Sequence, residues 1–431
     1  MWIRLIAIWL SVSANGLAQL DFEKDPINYS RSTPTDPVQQ LADRLDNDQV
    51  QLQWNNSNGY LASLLSELKI PQSSQTLVFS KTSLQVSRIS PRTPRAIYFN
   101  DDIYVGWVQR SDMIEISAAD SALGATFYSL NSSRETKPVI KRETSRCLQC
   151  HGSTHTRRIP GHIVRSVYPD KSGQPVFRMG THLSSPDSPF SERFGGWYVT
   201  GQHGESKHMG NAWVTDPDES ETLGQEHSFN VSQLKKFVST KPYLTPHSDL
   251  LALLVLQHQV HVHNVLTAAN HSGMLTERDA LVMNRALERE PDYESDSTKR
   301  RYASVADKVV KALLCADESP LPESLLGTSD FQTEFQAKGP FDAKGRSLRQ
   351  LQAGPRLFRY PCSFLIYSKP FAHLHPEVKR QVQGKLLSVL SSPELAVPDF
   401  PGLTPELRAE VLQILQATDA LPLAPGAQPS K

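Results

Sequence analysis

The chain reads as an α+β protein: a β-rich first half followed by a mostly α-helical second half. Three observations predict this. Between residues 75 and 200, short β-branched and aromatic runs alternate with turn clusters such as Asn100-Asp101-Asp102. From about Ser248 onward, apolar residues recur at helical spacing. The chain has 431 residues, 39% hydrophobic and 21% charged, enough for two domains and a large buried core.

The elements follow in order. Residues 1–18 read as a signal peptide, with a positive start at Arg4, an apolar stretch from Leu5 to Ala14, and small residues Gly16 and Ala18 ahead of cleavage before Gln19. That stretch, and the later run Leu250–Leu256, are too short for a membrane span of about twenty apolar residues. An exported protein with no stable membrane span is expected, periplasmic or otherwise extracytoplasmic. Residues 19–74 should form an N-terminal arm and short helices. Asp21–Asp36 is polar and reads as extended, Asp36 caps a helix over Pro37–Leu45, and Tyr60–Leu68 forms a second helix.

The β-rich unit is expected over 75–247, with strands at Thr76–Phe79, Ala96–Phe99, Ile103–Val108, Met113–Ser117, Ala125–Tyr128, Ile163–Tyr168, Pro175–Met179 and Gly196–Thr200. The helical unit is expected over 248–418. Its helices are Asp249–Ala269 capped by Ser248, Thr276–Glu290, Lys299–Ala316, Pro376–Leu390 and Pro405–Ala417, with Glu323–Ala353 mostly loop. Residues 419–431 read as a disordered, proline-bearing tail. Lys+Arg and Asp+Glu both number 45, so no overall field favours nucleic acid, and nucleic-acid binding is not expected.

The chemistry is concentrated in Cys147-Leu148-Gln149-Cys150-His151. Two cysteines spaced by two residues and followed at once by histidine are the attachment signature of a c-type haem. Each thiol adds to one vinyl group, and His151 is carried under the iron as proximal ligand. With 4 Cys and 14 His, chance placement gives this pattern roughly once in a thousand such chains. A zinc ribbon would need a second Cys-x-x-Cys pair, and the chain has none. One covalent haem c is therefore expected. By analogy of fold, a small sheet holding a ligand on one face is similar to PAS and Cache sensor domains.

The second axial ligand decides between electron transfer and chemistry at an open iron face. Candidates are His155, His162, Met179, His182, His203, His208, Met209, His258, His261 and His263. The glycine-bearing segment with His203, His208 and Met209 ranks first, His208 slightly ahead, because glycine lets backbone approach a ligand closely. The same segment also reads as an ordinary polar loop. His258 and His261 share a helix face by i, i+3 spacing, with His263 on another. Arg157, Arg158, His162 and Arg165 can pair with haem propionates or stand as solvated charge. Cys315 and Cys362 can bridge in an oxidising compartment or remain buried thiols.

The leader, the Cys-x-x-Cys-His motif and the segments Pro94–Trp107, Arg193–Gly201, His208–Asn211 and Leu357–Cys362 resemble a group of exported bacterial cytochrome c-domain proteins, over most of the mature chain. That resemblance implies a monohaem protein but no particular reaction. The motif is preceded by a long mature segment, unlike the compact class I cytochromes c. An electron-transfer cytochrome with a redox partner protein in the cell envelope is the leading reading. A haem enzyme with an open distal site, peroxidase-like or an oxidase component, and a haem-based sensor are the alternatives. Whether the chain is an enzyme stays open at this point.

Overall fold

Runs separated by tight turns pair with their sequence neighbours, and the first half obeys this rule. In the computed structural model, which describes residues 20–215 and 223–421, α1 (Pro37–Asp46) and α2 (Leu61–Glu67) precede a meander. The meander comprises β1 (Thr76–Val78), β2 (Arg95–Phe99), β3 (Ile103–Trp107), β4 (Met113–Asp120), β5 (Gly124–Asn131) and β6 (Ile140–Arg142). The one-turn helix α3 (Leu148–His151) follows, then a hairpin of β7 (Arg165–Val167) and β8 (Thr181–Leu183). Strand β9 (Trp197–Tyr198) returns to the free edge of β1, giving an antiparallel sheet in the order β6-β5-β4-β3-β2-β1-β9. The expected signal peptide lies outside the described residues.

Side chains alternate across this sheet. One face, with Ala96, Tyr98, Val105, Trp107, Ile116 and Tyr128, packs on Val38, Leu41, Leu61 and Leu64 of α1 and α2. Asp36 caps α1 as expected, its Oδ1 accepting from the Val38 and Gln39 amides at 2.8 and 3.1 Å. Its Oδ2 accepts from the Thr126 and Tyr128 hydroxyls of β5, which fixes the helix to the sheet.

Several expectations need correction. The arm is not extended: Phe22, Ile27 and Tyr29 are buried, and the Tyr29 hydroxyl donates to the Ala125 carbonyl at 2.8 Å. The strand expected at Pro175–Met179 is a 3-10 turn over Phe177–Met179, and β8 pairs with β7 instead. The segment ahead of the motif contributes the edge strand β6, which pairs with β5.

The second half holds α4 (Leu250–Ala286), α5 (Asp296–Leu313), α6 (Phe331–Ala337), α7 (Lys369–Ala372), α8 (Pro376–Leu390) and α9 (Pro405–Ala417). α8 and α9 match their expected spans. The two helices expected between 249 and 290 are one helix of 37 residues. Gly273 does not interrupt it; a Cβ there would meet His375 Cβ at 2.6 Å, so the glycine permits close approach of a neighbouring segment. Its N-cap is Asp249, not Ser248, whose hydroxyl donates to the Tyr198 carbonyl and accepts from the Leu77 amide. Leu421, placed in the tail, is buried in the helical core, and residues 422–431 lie outside the described residues. Cys315 and Cys362 are free thiols, so the bridged alternative falls away.

The helical core also takes in Val78, Phe99, Tyr104 and Trp197 from the sheet, and Val199 just past β9. Hydrophobic packing is therefore continuous across residue 248. No helix among the described residues is long and apolar enough to cross a membrane.

Asp102, in the β2–β3 turn, gives a pH test of this packing. Burial, with Asp101 adding to it, pushes its carboxyl up from 3.8 to about 6. A raised folded-state value means that the contribution to stability is full below pH 3.8 and lost as pH rises to about 6. Asp102→Asn should abolish a stability loss of up to about 3 kcal/mol in that window. Urea midpoints measured from pH 3.5 to 7 (roughly the span of these two values) check it; parallel curves for the two proteins would refute it.

Candidate cofactor-attachment site

The motif's local structure follows from one buried residue. Leu148 sits in a small cluster with Phe22, Ile27, Tyr29, Leu123, Ala125 and Phe127, and this pins α3 against the sheet end. The His151 amide donates to the Cys147 carbonyl at 2.9 Å, closing one helical turn. Cys147 and Cys150 stand three residues apart on that turn, so they project to the same side. Cys147 is half-buried and Cys150 exposed. Burial, reinforced by Glu143, pushes the Cys147 thiol up to about 11, so it stays protonated at neutral pH.

His151 is held by a second segment. Its Nδ1 lies 2.9 Å from the Gly161 carbonyl oxygen. A carbonyl only accepts, so Nδ1 carries the proton and Nε2 keeps its lone pair. Burial lowers the pKa of the imidazole, which keeps it neutral. The Gly161–His162 backbone is in turn clamped by Asn264 of α4. Asn264 Oδ1 accepts from the His162 amide and its Nδ2 donates to the His162 carbonyl, both at 2.8 Å. Asn264→Ala removes both bonds and should cost about 2 kcal/mol. It should also speed amide exchange at Gly161 and His162, measured by hydrogen exchange; unchanged protection there would refute the clamp.

The second sheet face approaches this turn. Phe127 packs on the His151 ring at 4.8 Å between centroids. Arg95 pairs with Glu115 at 2.5 Å across β3, and both charges are felt at Cys147 and His151. Gly106 between them has no Cβ, and one placed there would meet Arg95 Nη2 at 2.3 Å. Ile97, Glu115, Ser117 and Ser129 on this face are only partly covered. Sequence reading missed Arg95, Gly106 and Glu115. The signal was present: two charged residues and a glycine at the same phase of three neighbouring strands, opposite an apolar face.

The residues ranked first as second ligands form a separate cluster. His203 and His208 lie 4.7 Å apart between ring centroids, beside Phe190 and Phe229. His203 has both nitrogens engaged, Nδ1 donating to the Ser206 carbonyl and Nε2 accepting from the Asn230 amide. His208 accepts from the Gly210 amide at Nδ1, and its Nε2 is buried without a partner. The Met209 sulfur accepts from the Ser166 hydroxyl at 3.6 Å. Among the described residues, no ring contact or hydrogen bond joins these three to His151.

No family profile, curated protein or solved structure matches the chain.

The remaining histidines disperse. His162 and His263 are buried with Tyr104, their rings 6.1 Å apart, and the Nε2 of each lacks a partner. His162 also lies 6.1 Å from the Phe127 ring that covers His151. His258 turns into the helical core, where it meets Glu318 and Ser363, and His261 lines a cavity beside His162. His155, Arg157 and Arg158 are exposed, while Met179, His182 and Arg165 are partly covered.

The donor set at 147–151 fits a covalent haem. It offers two thiols on one side of a turn, one of them exposed, and an imidazole nitrogen whose lone pair is uncommitted.

Proposed function

We propose that this chain is an exported monohaem c-type cytochrome that transfers electrons to or from a redox partner protein of the cell envelope. Cys147 and Cys150 hold the haem covalently, and His151 serves as proximal ligand. The observation that carries this reading is the bond from His151 Nδ1 to the Gly161 carbonyl, which fixes the tautomer and leaves Nε2 for iron. Haem would supply one-electron chemistry at moderate potentials. The chain's own residues orient it. Leu148 and Phe127 set the position of the turn, and Asn264 sets the carbonyl that orients the imidazole. Arg95 and Glu115 provide fixed charges nearby that tune the potential, a cation raising it and an anion lowering it. The leader and the resemblance to exported cytochrome c-domain proteins support the compartment.

A second reading, a haem enzyme or sensor with an open distal face, gains from one observation: His203 and His208 pack on one another and on Phe190 and Phe229, and the Met209 sulfur is engaged by Ser166. Absorption spectra decide between them. The protein is purified from a host that matures c-type haem and examined oxidised and reduced, with and without carbon monoxide. A covalent haem with no carbon monoxide shift supports electron transfer, a clear shift supports the open-face reading, and no covalent haem refutes both.

A further inference from the structure

The helical half holds a second cluster of ligating side chains, remote from the motif in sequence. His258 of α4, Cys315 just past α5 and Glu318 converge, with one donor atom from each within 4.8 Å of the others. His258 is 1% exposed, and its Nδ1 lies 2.9 Å from Glu318 Oε1. Its Nε2 lies 2.8 Å from Ser363 Oγ. Phe358 packs edge-on against the His258 ring at 4.7 Å.

The local backbone shows how Cys315 reaches this position. The Ala316 amide bonds the Lys311 carbonyl and the Cys315 amide the Ala312 carbonyl, the paired bonds of a Schellman cap. The residue at the turn of such a cap is left-handed and is most often glycine. Here it is Cys315, at φ 53°, which carries a thiol into the cluster at some conformational cost.

Cys315, Glu318 and Phe358 also line a cavity of about 260 Å³, together with Arg356, Pro361 and Phe400. Three protein donors beside an accessible space have the composition of a metal site with one open position. Sulfur, imidazole nitrogen and carboxylate oxygen together suit zinc better than magnesium or calcium, which prefer oxygen alone. The thiolate and carboxylate supply two negative charges, which neutralise a divalent ion in a buried setting.

We propose that His258, Cys315 and Glu318 bind one zinc(II) ion, with its fourth position open to the cavity. On binding, the Cys315 S–H bond breaks, its proton leaves to solvent, and the thiolate sulfur coordinates the metal. In the metal-bound state the His258 ring presents the Nδ1 lone pair to the ion and carries its one proton on Nε2, which donates to Ser363 Oγ; any second ring proton leaves to solvent with that of the thiol. Ser363 is then a positioning residue, fixing the tautomer as outer hydrogen-bond partners of metal-bound histidines do. It is fully buried, and its Oγ also caps the turn at Leu365.

This inference is independent of the haem reading, and its test separates the two. The full chain, purified with whatever haem it carries, is dialysed against a chelator, loaded with zinc, washed and assayed for zinc and iron per chain. One zinc per chain is expected, unchanged in Cys362→Ser and absent in Cys315→Ser, with iron the same in all three. Glu318→Gln should weaken zinc binding more than about 100-fold, and Ser363→Ala about 10- to 100-fold. Cobalt(II) loading should give a thiolate-to-metal charge-transfer band in the difference spectrum against the zinc form, lost in Cys315→Ser. Zinc retained by Cys315→Ser, or no zinc in the unmodified chain, overturns the proposal. If Cys315→Ser loses its helical circular dichroism, undiminished affinity in Glu318→Gln overturns it equally.

Discussion

Replacing Cys147 and Cys150 together by serine should abolish the proposed covalent haem: the denatured unmodified chain should show haem on a stained gel, and the double variant none. The argument is chemical. A thioether needs a sulfur nucleophile, and the hydroxyl that replaces it does not add to a vinyl group under maturation conditions. Either single variant should retain one thioether, with the reduced spectrum shifted to longer wavelength because one vinyl stays conjugated with the porphyrin. His151→Ala should keep the sulfurs but lose the ligand nitrogen that Gly161 orients, and so change the iron spin state. Leu148 and the turn's backbone bonds are untouched in all these variants, so the loss cannot be ascribed to a misplaced turn. Haem still bound covalently in the double variant would end the proposal.

The largest stability effect is expected at Asp249. Its Oδ1 accepts from the Leu251 and Ala252 amides at 2.8 and 3.2 Å, capping α4. Its Oδ2 accepts from the Thr328 amide and from both the Ser329 amide and hydroxyl, at 2.7 to 2.8 Å. The residue is 1% exposed, so water does not replace these bonds when the side chain is cut back. Gly327 makes room for it, since a Cβ there would come within 2.6 Å of Oδ2. Asp249→Ala loses a cap, at about 0.5–2 kcal/mol, and strands several buried donors at about 1–3 kcal/mol each. After relaxation we expect a total of about 4 kcal/mol. Asp249→Asn should cost less, because Oδ1 still caps the helix while an amide group faces the Thr328 and Ser329 donors. Equilibrium urea unfolding followed at the helical signal checks both, and a loss under about 1 kcal/mol for the alanine variant would count against the bonding described.

Local chemistry was legible in the sequence, and long-range placement was not. Asp36 before Pro37 marked a helix start, and the structure places the cap there. The alternating strands of the meander were found because tight turns pair neighbours. Strand β9 was recognised as a strand, but nothing local indicates that it pairs with β1. The break assumed between Ala269 and Thr276 failed because Gly273 answers to His375, a partner far along the chain. The same limit applies to the histidines. His258 and His261 share spacing, yet only His258 meets Glu318 and Ser363. The carbonyl that orients His151 comes from Gly161, and the clamp on that carbonyl comes from Asn264, a separation no motif encodes.

The return of β9 to β1 has a bearing on biogenesis. Six strands are synthesised in the order in which they pair, but the partner of β1 on its other edge, Trp197 and Tyr198, comes last. The Cys147–His151 turn lies in the connection between the sixth strand and this late seventh one. Two further pieces of its setting, Gly161 and Asn264, also come after it in the chain. An assembly enzyme acting on a nascent polypeptide would therefore meet the two thiols on an unfinished scaffold, before the imidazole has been given its orientation. On the proposed haem reading, loading and closure of the sheet would be successive events, with locking of the histidine by α4 the later step.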